Sequence, residues 1–481
     1  MIQAARSLDS REKDMGGFFG VASKNDCVND LFYGTDYHSH LGTRRGGLAV
    51  CNAHGYQRSI HNIENDYFRS KFEQDLPDLQ GRCGIGIISD HDAQPLIIGS
   101  HLGTFAIVTV GKIQNIEALA QKASGQKLHF SEMSGGEINP TELVAMLITE
   151  EDSFEAGIQN AQQAIQGSCS ILILTPKGIY AARDRLGRTP VIIGNKKGAY
   201  AASSETCAFA NLDYDISHFL GPGEIAFISE DGYEQRKAPG NAMQICSFLW
   251  VYYGYPASSY EKINVESVRY RCGQALARND TVAIDCVAGI PDSGTGHAIG
   301  YANERRIPYI RPFVKYTPTW PRSFMPQNQT RRDLVAKMKL IPIQSLIEGN
   351  RILFCEDSIV RGTQLKDKVQ TLYASGAKEV HMRPACPTLI YPCEFLNFSA
   401  SRSTMDLIGR QVVRELEGSE DAHLDQYAMA GSERHTVMVK AIEKKLGLSS
   451  LKYQRLEDLV GAIGLPKHRL CTHCWDGSSY F

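Results

Sequence analysis

A chain of 481 residues is too long for one ordinary core and predicts two or three domains. At 43% hydrophobic and 22% charged, with a formal charge of −2, it has a globular composition and no basic field for nucleic acid or a membrane surface. No run approaches the roughly 18 apolar residues of a membrane span, and the amino-terminal stretch MIQAARSLDSREKDM lacks a secretory core, so a cytoplasmic protein is expected.

The first element to stand out is KDMGGFFGVAS, Lys13 to Ser23. Two glycines precede a short apolar run, Phe18 to Ala22, that looks like an edge of a sheet. Glycines there imply close backbone approach, yet Gly16 to Ala22 carries no side chain able to act as nucleophile, acid or base. From about Gly17 to Ser229 the text is strand-rich: RGGLAVC, GIGIIS, FAIVTVG, CSILILTPKGIYAARD, AYAASSE, GEIAFIS. These short runs, bounded by Gly, Asp and Asn, predict a layered, mostly antiparallel sheet. Helices are expected from Thr141 (TELVAMLITEE) and Ser153 (SFEAGIQNAQQAIQG). After about Tyr260, apolar strands alternate with amphipathic segments: TVAIDCVAGI, GTGHAIGYANERR, IPYIRPFV, RILFCED, TQLKDKVQTLYASGA, KEVHMRPAC. That alternation predicts a parallel α/β sheet. From about Ser403 the chain is polar and helix-prone, and it ends in a cysteine pair.

The stretch RILFCEDSIVRGTQL, Arg351 to Leu365, carries the most chemistry. Ile352 to Cys355 reads as a buried strand with Glu356 and Asp357 at its carboxyl end, where open α/β sheets place ligands. Ser358 to Thr363 form a short polar loop, with a helix from about Gln364. Exposed N–H groups, hydroxyls and a glycine opening a helix make a phosphate cradle. Two carboxylates at its mouth cannot bind phosphate, but they suit a ribose diol or Mg²⁺. An ordinary solvated strand end is the plain alternative for the acidic pair alone.

This string resembles the phosphoribosyl pyrophosphate (PRPP) motif of phosphoribosyltransferases. AGIPDSGTGHAIGYA, Ala288 to Ala302, resembles the pyrophosphate loop of the glutamine PRPP amidotransferases. ARDRLGRTPVIIG, ASSETCAF and GPGEIAFIS resemble that family's glutaminase domain, and VAKMKLIP and YPCEFL its transferase domain. The resemblance implies an amino-terminal-nucleophile hydrolase fold, an αββα sandwich, followed by an α/β phosphoribosyltransferase domain. The expected division is a leader over 1–15, a glutaminase-like domain over 16–240, a transferase domain over 241–415 and a helical carboxyl-terminal segment over 416–481. It further implies that Glu356 and Asp357 contact the ribose or its Mg²⁺, with Ser293 as a further metal ligand. Ser358, Ile359, Val360, Arg361, Gly362 and Thr363 would surround the 5-phosphate. Asp292, Ser293, Gly294 and Thr295 would meet the pyrophosphate, and Lys337 and Lys339 would sit on a loop closing over PRPP. Departures stand beside these matches: Glu356 where the family usually has Asp, YPAS (Tyr255 to Ser258) for RPDS, and KYTP (Lys315 to Pro318) for KNRY.

Thirteen cysteines, odd in number and scattered, argue against a disulfide framework. Cys471 and Cys474 form a CxxC that alone could be redox, zinc or chance. One branch of the family holds a 4Fe–4S cluster on four cysteines, and Cys246, Cys393, Cys471 and Cys474 match those positions. Four thiolates suit an iron–sulfur cluster, and zinc stays open. The other cysteines, Cys27 and Cys355 among them, read as core or surface thiols.

Against the family pattern the glutaminase positions are lost. The nucleophilic cysteine falls on Gly16, and Cys27 cannot supply both thiol and free α-amine. The carboxylate-binding arginine falls on Ser89, an HRGQE arginine on Leu41, the oxyanion-hole asparagine on Val110 and an amine-binding aspartate on Pro140. Glutamine hydrolysis is therefore not expected. Two functions follow. One is an enzyme that binds Mg·PRPP and forms phosphoribosylamine from ammonia or another amine. The other is a non-catalytic regulatory module that senses PRPP or purine nucleotides, or pairs with an active paralogue in a mixed oligomer. A homotetramer is implied by the family only.

Overall fold

The computed structural model describes residues 16–64, 66–90, 92–125, 133–134, 137–278, 280–315, 340–396 and 404–478. Lys337 and Lys339 lie outside the described residues.

Short apolar strands in the first half stack into two antiparallel sheets. One runs in the order Asp215–Phe219, Ile192–Lys196, Ala199–Ser203, Gly17–Ser23, Cys83–Ser89, Arg45–Asn52, Gly55–Asn62. The other runs Tyr233–Lys237, Ile225–Ile228, Gly178–Ala182, Gly167–Thr175, Gly103–Ile113, Leu96–Ser100. Phe18, Ile85, Ile87, Val108, Val110 and Leu172 fill the space between them. Leu31 and Phe32 of the helix Val28–Asp36 cover the outer face of the first sheet. The helices Pro140–Ile148 and Phe154–Ala164 cover the second through Val144, Ile148 and Ile158. This is the expected αββα layering. Both helix starts follow from capping: Asn139 accepts from the Thr141 and Glu142 N–H groups, with Pro140 at the first helical position, and Ser153 accepts from Ala156 N–H.

The strand Gly17–Ser23 is central rather than an edge, lying between Ala199–Ser203 and Cys83–Ser89. One face meets the second sheet and the other meets the helix Val28–Asp36, so all seven residues are buried. A strand buried on both faces loses the alternation that would have marked its place. Its first glycine is needed for packing: a Cβ on Gly17 would lie 2.6 Å from His38 Cδ2.

The second half is built on a parallel sheet in the order Cys286–Gly289, Arg351–Glu356, Glu379–Pro384, Ser450–Leu451. The helices Val265–Arg278 and Thr295–Arg305 cover one face, through Val268, Cys272, Ala298 and Tyr301. Thr363–Ala374, Ile408–Glu417 and Glu433–Leu446 cover the other, through Val369, Leu372, Val412 and Ile442. The segment read as a helical tail thus also contributes a strand to this sheet. Between the halves, Arg183 Nη1 pairs with Glu261 at 2.7 Å, and the Arg188 guanidinium lies 3.8 Å from the centroid of the Phe395 ring. Among the described residues no helix is long and apolar enough to cross a membrane.

Candidate functional site

Two adjacent parallel strands end in loops that face each other. Arg351–Glu356 delivers Glu356 and Asp357, both buried, to its carboxyl end. Ser358 Oγ donates to Asp357 Oδ2 at 2.6 Å. The loop closes at Gly362, whose φ of 77° is left-handed, and the helix Thr363–Ala374 starts there. Ile359 points into the core, and the Val360 carbonyl accepts from Ile408 N–H at 2.7 Å, so neither offers a polar side chain. Arg361 reaches Asp406 at 3.3 Å.

The second loop follows Cys286–Gly289 and runs through Ile290–Gly294 into the helix Thr295–Arg305. Its glycines allow the two loops to touch. A Cβ on Gly294 would lie 2.2 Å from the Cys355 carbonyl oxygen, and one on Gly289 would lie 2.7 Å from Gly294. Ile290 N–H donates to Cys355 O at 3.0 Å, and Ser293 Oγ donates to Glu356 Oε1 at 2.9 Å. The Pro291–Asp292 peptide is cis. Asp292 stands at the exposed rim, paired with Lys315 Nζ at 2.8 Å. The structure therefore gathers Ser293, Gly294, Thr295, Glu356, Asp357, Ser358 and Thr363 at one sheet edge, with Asp292 and Arg361 at its margins.

Three residues near this edge were given no role in the sequence reading. Lys315 is the partner of Asp292. Arg269, buried, donates to the carbonyls of Trp250, Tyr252 and Gly254 and lies in electrostatic reach of Asp357. His297 is buried in the helix that follows the second loop. A basic residue inside an amphipathic helix reads as surface, so only the fold brings Arg269 to the site.

The side chains of Glu356, Asp357 and Ser293 offer only oxygen donors, a chemistry that fits Mg²⁺. The four tail and junction cysteines are neighbours. Ile245–Cys246 pairs in parallel with Leu470–Cys471, setting Cys246 beside Cys471. The Cys474 thiol is pushed well up by its hydrogen bond with Cys393 and by burial, with Cys246 and Cys471 also in electrostatic reach. Four thiols with no oxygen donor match iron–sulfur or zinc chemistry. Among the described residues no three His, Cys, Asp or Glu side chains are drawn together tightly enough to hold a metal unaided.

At the other end of the chain, Gly16 is buried against Ser89, and a Cβ on it would lie 2.5 Å from the Ile88 carbonyl oxygen. Ser89 is buried opposite Arg45 in the sheet register. Leu41 is buried, 2.7 Å from where a Gly17 Cβ would be. Val110 is in the core between the sheets, and Pro140 opens a helix. Asp92, Gln94, Thr109 and Thr141 are bonded to one another. Gln94 Nε2 donates to Asp92 Oδ1 at 3.0 Å, Thr109 N–H to Gln94 Oε1 at 2.7 Å, and the Thr109 and Thr141 hydroxyls lie 2.7 Å apart. Burial raises the Cys27 thiol well above its ordinary value, the opposite of an activated nucleophile.

Comparison with known proteins agrees with this fold. A family model described as a glutamine amidotransferase domain matches residues 80–211. The chain is 30% identical to the amidophosphoribosyltransferase of Methanocaldococcus jannaschii, covering 96% of this chain and 97% of that protein. It is also 30% identical to the Archaeoglobus fulgidus amidophosphoribosyltransferase, covering 88% of each. The solved glutamine PRPP amidotransferase from B. subtilis, complexed with ADP and GMP, superposes with a TM-score of 0.84 at 26% identity, covering 96% of this chain and 97% of that one. A structure described as the allosteric regulatory enzyme of purine biosynthesis superposes with a TM-score of 0.83 at 26% identity, covering 96% of each.

Proposed function

Because the chain belongs to the amidophosphoribosyltransferase family of purine biosynthesis, we propose that it binds Mg·PRPP and forms 5-phosphoribosylamine from ammonia without hydrolysing glutamine. The observation that carries the first part is the Ser293–Glu356 bond, which joins the two ligand-facing loops at the carboxyl ends of adjacent parallel strands. The observation that carries the second is Gly16, where even a Cβ meets backbone.

In this reading Glu356 and Asp357 hold the ribose hydroxyls or the metal. Ser358, Arg361 and Thr363, with the backbone N–H groups of Ile359, Val360 and Gly362, surround the 5-phosphate at a helix amino terminus. Ser293, Gly294 and Thr295 take the pyrophosphate at a second helix start, with Asp292 at its rim, and Lys337 and Lys339 close over it. Mg²⁺ held by Glu356, Asp357 and Ser293 would neutralise charge on the departing pyrophosphate. The protein's own task is to exclude water from C1, since the transition state has oxocarbenium character and water would compete with the amine. Cys246, Cys393, Cys471 and Cys474 would hold a 4Fe–4S cluster, which would tie the tail to the junction between the halves. A homotetramer is the expected assembly.

Purified protein incubated with Mg·PRPP and ammonium at alkaline pH tests this. Ammonium-dependent pyrophosphate release supports the enzyme. Calorimetric binding of PRPP without release supports a sensor of PRPP or purine nucleotides, and glutamate release from glutamine above a blank overturns the inactive glutaminase.

A further inference from the structure

The four cysteines Cys246, Cys393, Cys471 and Cys474 belong to the second half and the tail, but a charge beside them belongs to the first half. Arg188 stands in the loop between the strands Gly178–Ala182 and Ile192–Lys196 and is completely buried. Its Nη1 donates to the Gly167 carbonyl at 3.0 Å, which ties it to the second sheet, and its Nη2 donates to Gln244 Oε1 at 3.3 Å. Three further contacts run to the cysteines and their neighbours. The Arg188 carbonyl accepts from Cys246 N–H at 3.2 Å. The guanidinium donates a hydrogen bond to the Cys471 sulfur. The same guanidinium lies 3.8 Å from the centroid of Phe395, in the YPCEFL stretch that holds Cys393.

A guanidinium keeps its charge at any pH a folded protein meets, and a buried charge is costly unless an opposite charge faces it. Four thiolates on a metal supply that opposite charge. They leave a net negative charge on a zinc ion and on an oxidised 4Fe–4S core alike. The sulfurs are already met by other donors. The Phe248 and Leu249 N–H groups are hydrogen-bonded to Cys246, and the His473 N–H group to Cys471. Donors aimed at sulfur favour the thiolate over the thiol, and the thiolate is the form that binds metal.

We infer that Arg188 is the counter-charge of the four-cysteine site, so that loading the site with metal clamps the first half onto the tail. The inference rests on the reading of these cysteines as metal ligands and adds to it a residue of the other half. Arg188 is a positioning residue. It holds no metal itself and acts through the Cys471 sulfur and the Cys246 backbone. Metal binding releases the thiol protons. The hydrogen bond from the guanidinium then runs to a charged sulfur and becomes the stronger, charge-assisted kind. It pulls the loop that carries Arg188 toward the strand pair of Ile245–Cys246 and Leu470–Cys471. A half read as unable to hydrolyse glutamine keeps a task in this way: it supplies the charge that retains the metal.

Two measurements on the full chain decide this. Protein is reconstituted anaerobically with iron and sulfide, or with zinc, and metal loss to excess chelator is timed. Arg188→Gln, which keeps a donor but no charge, loses metal about 10–100-fold faster than wild type, as expected when a group that supports a ligand is removed. Arg188→Lys, which keeps the charge, recovers most of the retention. Loss at the wild-type rate from Arg188→Gln, or no recovery in Arg188→Lys, overturns the inference. The second measurement needs no variant. Hydrogen exchange in wild-type peptides covering 186–191, which contain no cysteine, slows about tenfold on metal loading. Exchange there that is the same with and without metal overturns the inference even where the cysteines hold metal. Wild-type protein that retains neither iron nor zinc after reconstitution overturns the reading of the cysteines, and the role of Arg188 falls with it.

Discussion

Ser293 Oγ donates to Glu356 Oε1 at 2.9 Å, across the gap between two loops that are far apart in sequence. The acceptor is a carboxylate, so the bond is of the stronger, charge-assisted kind. It holds the Glu356 carboxylate toward the second loop. Ser293→Ala is expected to weaken Mg·PRPP binding about tenfold, in line with roughly 1.5–3 kcal/mol for a hydrogen bond to a charged group partly replaced by water. Ser293→Thr should keep most of the affinity. Calorimetric titration of both variants checks this, and equal affinities for Ala and wild type would remove the bond from the binding site.

The glycines that let the loops touch separate two costs. At Gly362 a Cβ meets the Cδ1 end of Ile408 at 2.5 Å and must accept a φ of 77°. The side chain can move, so Gly362→Ala should cost about 1–2 kcal/mol, mostly backbone strain. At Gly294 the Cβ meets the Cys355 carbonyl oxygen at 2.2 Å, and strands cannot give way so cheaply. Gly294→Ala should lose more stability than Gly362→Ala and should also lose PRPP binding. Urea unfolding of the two variants gives the order, and the reverse order would contradict the packing of the loops.

Much of this was legible in the chain. Alternating strands and helices after Tyr260, and the acidic pair followed by a loop of hydroxyls and glycine, mark a parallel sheet with ligands at its carboxyl edge. The helices expected from Thr141 and Ser153 begin within a residue of there, at Pro140 and Phe154, behind the caps Asn139 and Ser153. The place of Gly17–Ser23 did not follow, because a strand covered on both faces shows no alternation. Ser450–Leu451 was missed because its pairing with His381–Met382 is long-range and brief. Arg269 lay in no quoted stretch, and Lys315 and His297 lay in quoted stretches without a role, because the partners of each come only with the fold.

The cysteine assignment makes an analytical prediction. Cys246 lies beside Cys471 in a strand pair, and the Cys474 and Cys393 thiols share a hydrogen bond. Anaerobically purified protein should contain iron and acid-labile sulfide, and Cys474→Ser should lose both. Because this site joins the tail to the junction, the same substitution should expose Trp475, which stacks on Phe248 at 4.9 Å, to fluorescence quenchers. Zinc without sulfide in the wild type would replace the cluster by a Cys₄ zinc site.

A buried histidine in the first half predicts the acid limb of stability. His38 donates from Nδ1 to the Gly34 carbonyl at 2.9 Å and lies 3.1 Å from Ser203 Oγ. Burial lowers it to about 4, with Glu205 opposing and His40 reinforcing. The folded value lies below the ordinary 6.5, so its stabilising effect is complete above pH 6.5 and is lost as pH falls toward 4. A gap of that size corresponds to about 3 kcal/mol. For Glu205, burial acts upward but the charge and hydrogen bond of His40 and the hydrogen bond of Tyr260 outweigh it, bringing it to about 2. Its contribution is therefore lost only below its ordinary 4.5. His38→Asn, which keeps a donor for Gly34, should flatten the unfolding free energy between pH 6.5 and 4.5 and leave the steeper fall below 4.5. An unaltered slope would place the acid sensitivity elsewhere.

Restoring a thiol to the first strand should not restore glutamine hydrolysis. A Cβ at position 16 would lie 2.5 Å from the Ile88 carbonyl oxygen and 3.6 Å from Ser89 Cα. The obstacle is backbone in a central strand pair, so Gly16→Cys must shift the strand start or distort Cys83–Ser89, at about 1–3 kcal/mol as for an overpacked core. Even with the thiol in place, Val110 offers no hydrogen bond to a tetrahedral oxyanion, and the loss of one such donor typically costs about 10²–10³ in rate. Ser89 and Pro140 bring no charge to hold the two ends of glutamine. Gly16→Cys should therefore melt below wild type and release no glutamate, and Gly16→Cys/Val110→Asn should behave alike. Pyrophosphate release with ammonium should survive in both, because the edge formed by Ser293 and Glu356 to Thr363 is built on a different sheet. Glutamate release by either variant would show that the anchors for glutamine survive in a form the positions 41, 89, 110 and 140 do not reveal.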